Sequence, residues 1–441
     1  MVVENAPVCK KVTGAYLDSQ KETRLTNRAG HDDSALPDGN GVVIIGGGVI
    51  GCAVAWQLTR RGRTDVTVVE RRRLTEGTTW HAAGLVGQLR SSAALTGLMR
   101  ASVRTYGELE QLTGYATGWR AAGSVRVAAS DARLAELKRH VAVAGSVGLA
   151  AELVSAGEAR DLFPLLDVDG VRGAAWVPSD GYADPSQLTH SFATGARAAG
   201  VRIIEGCRVT AIEHDGRRVS AVSTDRGRVA CDVVVNATGM WGRQTGRFAG
   251  ADLAVGAVEH QYVVTGQIAG LPTGLPTLRD PDARIYVKPE PGALLLGGWE
   301  EGTRMPWPAP PDDFGAELFA PNYERFEQLA DGAARRIPCF ATAGVGTWVN
   351  GPIPFTPDAE PLIGRDARLA NLLHCCGFSA GIAAAGGAGQ AIAGLIVDGD
   401  PGLDLAPFSP ARFGDVGEFL AREAVLTTAY AGYYKLRPGS S

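Results

Sequence analysis

The sequence predicts an α/β fold: a Rossmann-like domain on a parallel sheet, interleaved with an α+β domain on an antiparallel sheet. Three observations predict it. The continuous apolar run Val42-Val43-Ile44-Ile45, of buried-strand type, feeds directly into Gly46-Gly47-Gly48-Val49-Ile50-Gly51. A 3.6-residue period then carries Ile50, Ala53, Val54, Gln57 and Leu58 to about Gly62, and a second strand, Val66-Thr67-Val68-Val69, ends in Glu70. Further on, residues 257–300 are rich in strands that alternate or run apolar, without helical periods between them.

The other elements follow in order. Residues 1–40 mix charges of both signs without periodicity and read as a mostly disordered leader. Ser124–Ala128 reads as a strand and Asp131–Ala144 as a helix. Ala174–Val177 is a short strand before the loop at Pro178–Tyr182, and Pro185–Ala199 is a helix. Four strands follow: Val201–Glu205, Arg208–His214, Arg218–Thr224 and Asp232–Val235, with Asp215-Gly216 turning the second into the third. Val258–Thr265, Arg284–Lys288 and Leu294–Gly298 read as strands, and Tyr323–Arg335 as a helix. Leu369–Cys375 is a strand before a helix starting near Ser379, and the tail from Pro401 is loop plus a helix around Val416–Leu426.

Composition excludes several classes. Gly is in excess, 58 of 441 residues, about 13% against a usual ~7%. There is no Gly-X-Y period, so collagen is excluded, and the excess points to tight turns or backbone close to a ligand. The net charge is −4 with no dominant Lys/Arg block, which leaves nucleic-acid binding without an electrostatic footprint. Seven Cys with no C-x-x-C pair argue against a disulfide framework or a zinc ribbon and for a reducing compartment. No metal site is expected. No apolar signal core precedes residue 40, and a cytoplasmic protein with no membrane partner is the expectation. Leu369 to Val397 lacks formal charge, but its glycines and alanines fit a strand, a turn and a small-residue helix better than a membrane span.

The chemistry begins at Gly46-x-Gly48-x-x-Gly51. Such glycines permit a tight turn, close approach to a pyrophosphate and helix–strand packing, with the helix N-terminus facing the phosphates. Glu70 follows 19 residues after Gly51 and is placed to accept hydrogen bonds from a ribose diol. This pattern does not separate a nicotinamide from a flavin dinucleotide. The stretch Thr75-Glu76-Gly77-Thr78-Thr79-Trp80-His81-Ala82-Ala83-Gly84-Leu85-Val86 does, because in a flavoprotein the loop after the ribose acid passes beside the pyrophosphate and the flavin ring, and here it carries a His flanked by small residues and a Trp.

Gly77-Thr78-Thr79-Trp80-His81-Ala82-Ala83-Gly84-Leu85 resembles the signature of dimethylglycine and sarcosine dehydrogenases, FAD enzymes of the D-amino-acid-oxidase superfamily. Asn236-Ala237-Thr238-Gly239-Met240-Trp241 resembles their element closing over the FAD phosphates. Glu259 to Thr265 resembles their substrate-side strand. Phe355 to Asp358, Pro361 to Gly364 and Gly377-Phe378-Ser379-Ala380-Gly381-Ile382 resemble the C-terminal part of their FAD domain. The matches run from about residue 41 to 410.

The resemblance implies a glutathione-reductase-type FAD domain and FAD bound covalently through His81. It implies FAD contacts at Gly46, Gly48, Gly51, Glu70, Arg71, Thr78, Thr79, Gly84, Leu85, Val86, Val209, Ala237, Thr238, Gly239, Trp241, Gly377, Ser379, Gly381 and Ile382. The expected division is 41–125, 185–250 and 345–400 for the FAD domain, 126–184 and 251–344 for the substrate domain, and 401–441 as a C-terminal extension. Two departures stand out. The family's folate-binding module is not expected within this chain, and the Lys that related sarcosine oxidases place after the Gly-Phe-Ser turn is replaced by Ile382-Ala383-Ala384-Ala385.

The implied reaction oxidises the carbon beside the nitrogen of a secondary or tertiary amine, an N-substituted glycine or related amino acid. The imine then hydrolyses to an amine and an aldehyde or oxo acid. The amine must shed its proton first, and His260 and Tyr262, which alternate along one strand, are the catalytic candidates. Tyr286 and Lys288, with Arg284 on the same face, are candidates for a substrate carboxylate, and Tyr182 for the entrance. His374 reads as a structural neighbour. Oxygen or an electron-transfer protein is the expected acceptor. Two alternatives stay open: a flavin oxidase of a specialised pathway, or a flavin subunit of a multi-subunit sarcosine-oxidase-like complex.

Overall fold

The first strand, Gly39–Ile45, explains why its run Val42–Ile45 is apolar at every position. Val42 and Ile44 face one buried cluster, and Val43 and Ile45 face another on the opposite side of the sheet. A strand covered on both faces has no solvent side to make polar. The computed structural model describes residues 36–436, so most of the leader expected at 1–40 lies outside the described residues.

The first sheet runs Leu362–Arg365, Leu372–Cys376, Gly227–Asn236, Gly39–Ile45, Val66–Val69, Arg202–Ile204. Gly39–Ile45 pairs in parallel with Val66–Val69 and Gly227–Asn236, which in turn pairs in parallel with Leu372–Cys376. The hairpin Val209–His214 and Val219–Thr224 joins antiparallel to Gly227–Asn236. The second sheet runs Val345–Phe355, Gly256–Thr265, Ala293–Gly298, Ile285–Glu290, Thr277–Asp280, Ser124–Ala128, Gly173–Val177, Glu152–Val154. Its pairings are antiparallel except Thr277–Asp280 with Ser124–Ala128. Val345–Phe355 belongs to this second sheet, and the chain re-enters the first only at Leu362–Arg365. A two-stranded ribbon, Leu85–Val86 with Gly181–Tyr182, adds a third pairing.

Under the parallel sheet three helices meet: Val49–Arg60, Ala93–Thr113 and Gly381–Val397. They meet closely because Gly381–Val397 is built from Ala and Gly. A Cβ at Gly387 would collide with the Leu98 carbonyl, and one at Gly389 would lie 2.8 Å from the Ala53 backbone. Polar partners seal the contact: Gly387 N donates to Ser102 Oγ at 2.8 Å, and Tyr106 OH donates to the Ile382 carbonyl at 2.6 Å. The Pro185–Ala198 helix shows how the ends are set, since Asp184 accepts from Gln187 N and Pro185 occupies the first turn.

Most expected elements form within a few residues of their expected bounds. Four readings change. Arg284 is not in a strand: it sits in a turn at φ 61, before Ile285–Glu290. The strand expected from Leu369 starts at Leu372. The single helix expected over Val416–Leu426 is two, Gly417–Leu420 and Glu423–Ala431. Lastly, Ala93–Thr113, the longest described helix, was not anticipated, because its apolar positions are diluted by Ser, Thr and Arg. The stretch 369–397 forms a strand, a turn and a helix, and no described helix is long and apolar enough to cross a membrane.

This packing makes a paired prediction. Gly97 is helical with open space around it, so Gly97→Ala should stabilise by about 0.5–1 kcal/mol. Gly387→Ala forces two helices apart and should destabilise by about 1–3 kcal/mol. Thermal melts of the two variants should therefore shift in opposite directions.

Candidate functional site

A cavity of about 440 Å³ is lined by strand ends of the first sheet, at Ile45 and Val69, and by a face of the second, at His260, Tyr262 and Tyr286. Its first wall is the Gly46–Ile50 turn. Gly46 adopts φ +112, and a Cβ there would meet the Ala237 carbonyl at 2.6 Å, so the strand-to-helix turn needs glycine. The turn leads into the N-terminus of Val49–Arg60, which leaves backbone amides for an anion. Val49 N already has one partner, Thr79 Oγ1, at 3.3 Å.

Glu70 closes the next wall. Its carboxylate accepts from Gly47 N at 2.6 Å and Arg72 N at 2.9 Å. Burial nonetheless holds its pKa above the ordinary value, with those amides opposing. Beyond it, the Arg71 guanidinium lies 3.9 Å from the centre of the Trp241 ring, a cation–π contact flooring the far end of the cavity beside Val209.

His81 stands at the other end. It is buried, edge-on to Trp80 at 5.4 Å between ring centres, and its Nε2 has no hydrogen-bond partner among the described residues. Gly351 permits this, because a Cβ there would lie 2.6 Å from the His81 ring. Burial pushes the His81 pKa down to about 4, so the imidazole is neutral and its lone pair available. A buried nitrogen without a partner, in the wall of a cavity, fits a group that would bond to it.

The third wall comes from the second sheet. His260 Nε2 lies 2.6 Å from Tyr286 OH and its Nδ1 lies 2.7 Å from Tyr430 OH. Tyr430 OH continues to Glu300 at 2.9 Å, and Arg325 pairs with Glu300 at 2.7 Å and Glu259 at 3.0 Å. If Tyr430 donates to the carboxylate, it accepts from His260 Nδ1–H, which leaves Nε2 to accept from Tyr286. Burial pushes His260 down to about 3, with the Arg325 charge adding to it, so this ring too is neutral. Burial raises the pKa of Glu300 and of Tyr286. Tyr262 also lines the cavity, and its hydroxyl makes no hydrogen bond to another described residue.

Most of the residues expected from sequence meet here. His81, His260, Tyr262 and Tyr286 line the cavity, with Gly46, Gly48, Glu70, Arg71, Thr78, Thr79, Gly84, Leu85, Val209, Ala237, Thr238, Gly239, Trp241, Ser379, Gly381 and Ile382. Gly51, Val86, Gly377, Lys288 and Tyr182 are not among the lining residues. Gly51 packs under the Gly46 carbonyl, Val86 lies in the core, and Gly377 turns against Thr356 and Val255. Lys288 pairs with Glu290 at 2.6 Å and sits over the Tyr182 ring, so its charge is already matched. Arg284 pairs with Glu301. His374 is held by Asp366 and Asn236, outside the cavity wall.

The structure adds residues that the sequence reading missed. Arg279 is buried, lines the cavity, and has no carboxylate within salt-bridge distance among the described residues. Its signal was a cation inside the short run Thr277-Leu278-Arg279-Asp280, too short to read as a strand alone. Trp299, Tyr433 and Tyr434 close the cavity from the C-terminal side, with Trp299 and Tyr433 stacked at 3.8 Å.

Residues 41–395 match the family model described as FAD dependent oxidoreductase (DAO). The chain is 38% identical to human mitochondrial sarcosine dehydrogenase over 385 residues, which are 86% of this chain and 42% of that protein. It is 34% identical to rat mitochondrial dimethylglycine dehydrogenase over 407 residues, 89% of this chain and 48% of that protein. It thus spans about half the length of the curated relatives it matches. The crystal structure of L-proline dehydrogenase from P. horikoshii aligns with a TM-score of 0.76 and 26% identity, covering 86% of this chain and 98% of that one.

The neutral His260 has a stability consequence. Its folded pKa, about 3, lies below its ordinary 6.5, so the unfolded chain takes up the proton first. Stability from this residue is present above pH 6.5 and drains away as pH falls towards 3. The melting temperature of the wild type should therefore drop faster than that of His260→Gln between pH 7 and 4.5. Parallel curves would remove the assignment.

Proposed function

The chain belongs to the FAD-dependent oxidoreductase (DAO) family, and on that footing we propose that it oxidises the carbon beside the nitrogen of an N-alkyl amino acid. The product imine hydrolyses to an amine and an aldehyde or oxo acid. In this reading FAD, when bound, supplies the two-electron acceptor. The first sheet with the Gly46–Ile50 and Phe378–Ile382 segments holds the cofactor, and His81 bonds it covalently. The second sheet presents the substrate.

One observation carries the amino-acid reading: the buried Arg279, without a carboxylate partner among the described residues, opens on the same cavity as His81. A buried guanidinium without an anion is costly, and a substrate carboxylate supplies one in bidentate form. Arg279 would thus hold the substrate carboxylate, the role that the resemblance gives to the Lys after the Gly-Phe-Ser turn in related sarcosine oxidases. The relatives named for sarcosine and dimethylglycine support a secondary or tertiary amine.

The amine must be neutral before its neighbouring carbon can be oxidised. Tyr286 OH presents its oxygen to the cavity, and His260 Nε2 behind it can take the Tyr286 proton as the tyrosine receives one from the amine. His260 then passes its Nδ1 proton to Tyr430, which passes its own to Glu300. Glu300, whose pKa is raised by burial, is a fitting terminal acceptor. Trp299, Tyr433 and Tyr434 keep water from the reacting end.

Three experiments test this. Acid-precipitated wild type should keep its yellow colour in the pellet, and His81→Ala should release FAD into the supernatant; full release from the wild type would remove the covalent bond. Sarcosine or dimethylglycine should bleach the flavin anaerobically. Arg279→Gln should raise KM about tenfold to a hundredfold, the cost of losing a charge-assisted hydrogen bond. A neutral amine without a carboxylate should show no such change, and equal effects on both would overturn the role of Arg279.

A further inference from the structure

The cavity beside His81 has a neighbour of about 420 Å³. The two share a wall made of Arg90, Phe378, Ser379, Ala380, Tyr433 and Tyr434. The second cavity is strongly cationic: Arg126, Arg133, Arg139 and Lys435 join Arg90 around it, against Glu136 and Glu360. Arg133 is already matched, by Glu136 and by Asp282. Arg90, Arg126 and Arg139 form no ion pair among the described residues. Among the described residues Arg126 donates only to the Leu89 carbonyl, at 3.1 Å, while Arg90 Nε and His140 Nδ1 are buried without partners.

The sheet explains how this charge relates to the first cavity. Arg126 and Arg279 are register partners on neighbouring parallel strands, so their side chains leave the same face of the sheet. Arg279 lines the first cavity and Arg126 the second. Neighbouring strands lie about 4.8 Å apart, so two cations start side by side. Asp180, whose charge acts on both, is engaged with Ser124 and Gln88. Burial, with Arg279 alongside, pushes the Arg126 pKa down to about 10. An arrangement of this kind is costly until anions enter it, and two guanidinium groups call for two carboxylates.

We propose that the second cavity receives a second carboxylate of the substrate itself, so that the preferred substrate is an N-alkyl amino acid with two carboxylates. One lies at Arg279 and the other reaches Arg126 and Arg90 past the Tyr433–Tyr434 wall. This rests on the amine-oxidase reading. The shared wall and the adjacent register favour one molecule spanning both cavities over a separate anion, because both charges are then matched by a single short chain.

The test compares N-methylglutamate with N-methylglutamine, which differ only in the second charge, by anaerobic bleaching of the wild-type holoenzyme. The expected kcat/KM is at least tenfold higher for N-methylglutamate, and Arg126→Gln should reduce that ratio at least fivefold. Glutarate should also perturb the flavin spectrum of the wild type at a Kd at least tenfold below that of butyrate, a measurement that needs no variant. A wild-type ratio near one, or glutarate binding no tighter than butyrate, overturns the proposal. If sarcosine and N-methylglutamine bleach the flavin as fast as N-methylglutamate, only this inference falls. If no N-alkyl amino acid bleaches it, the amine-oxidase reading falls and takes this one with it.

Discussion

The architecture depends on one close contact, the backbone of Gly381–Val397 lying directly on the backbones of Val49–Arg60 and Ala93–Thr113. Gly387 and Gly389 make it possible, because no side chain stands between the helices there. That contact sets where two helix N-termini sit. Val49 and Gly381 both begin at the cavity wall, so the two glycine-rich turns far apart in sequence face the same space. Tight backbone packing is stiff, and stiffness is what holds several amides aimed at one ligand.

Around that frame the electrostatics divide into two kinds. On the histidine side, burial keeps His81 and His260 neutral, and neutral imidazoles can offer a lone pair where cations could not. The Tyr286–His260–Tyr430–Glu300 chain is satisfied at every link, which is how a buried polar network avoids a desolvation cost. On the arginine side, Arg279, Arg126 and Arg90 have no carboxylate partner among the described residues, while Arg325, Arg133 and Lys288 all have one. The contrast separates cations matched within the fold from cations that face the two cavities.

Much of this was legible in the chain. Strand Gly39–Ile45 announces itself because both its faces are buried, and the glycine turn after it because no other residue fits the backbone approach. His81 stood out among small residues. The Ala93–Thr113 helix was not legible, since its buried face includes Thr96, Ser102 and Thr105, polar groups of which Ser102 and Thr105 donate back to carbonyls of the same helix. Lys288 was a reasonable carboxylate candidate on its strand face, but Glu290 two residues on takes its charge. Tyr430, Tyr433 and Tyr434 lay in what read as an extension, and nothing local to them says that they close a cavity.

By itself, then, the sequence determined what local chemistry can determine: the opening strand–helix–strand unit, where glycine is obligatory, and that a buried-type histidine follows a dinucleotide-binding turn. These depend on periods of two or 3.6 residues and on backbone sterics, which neighbours in the chain set. Only the tertiary structure decided which charged groups are paired and which are free. Arg279 meets Arg126 through a strand register, and His260 meets Tyr430 across 170 positions of chain. Whether a buried cation has a partner depends on distance in space, and a chain that folds back on itself through two sheets leaves no trace of that distance in its order of residues.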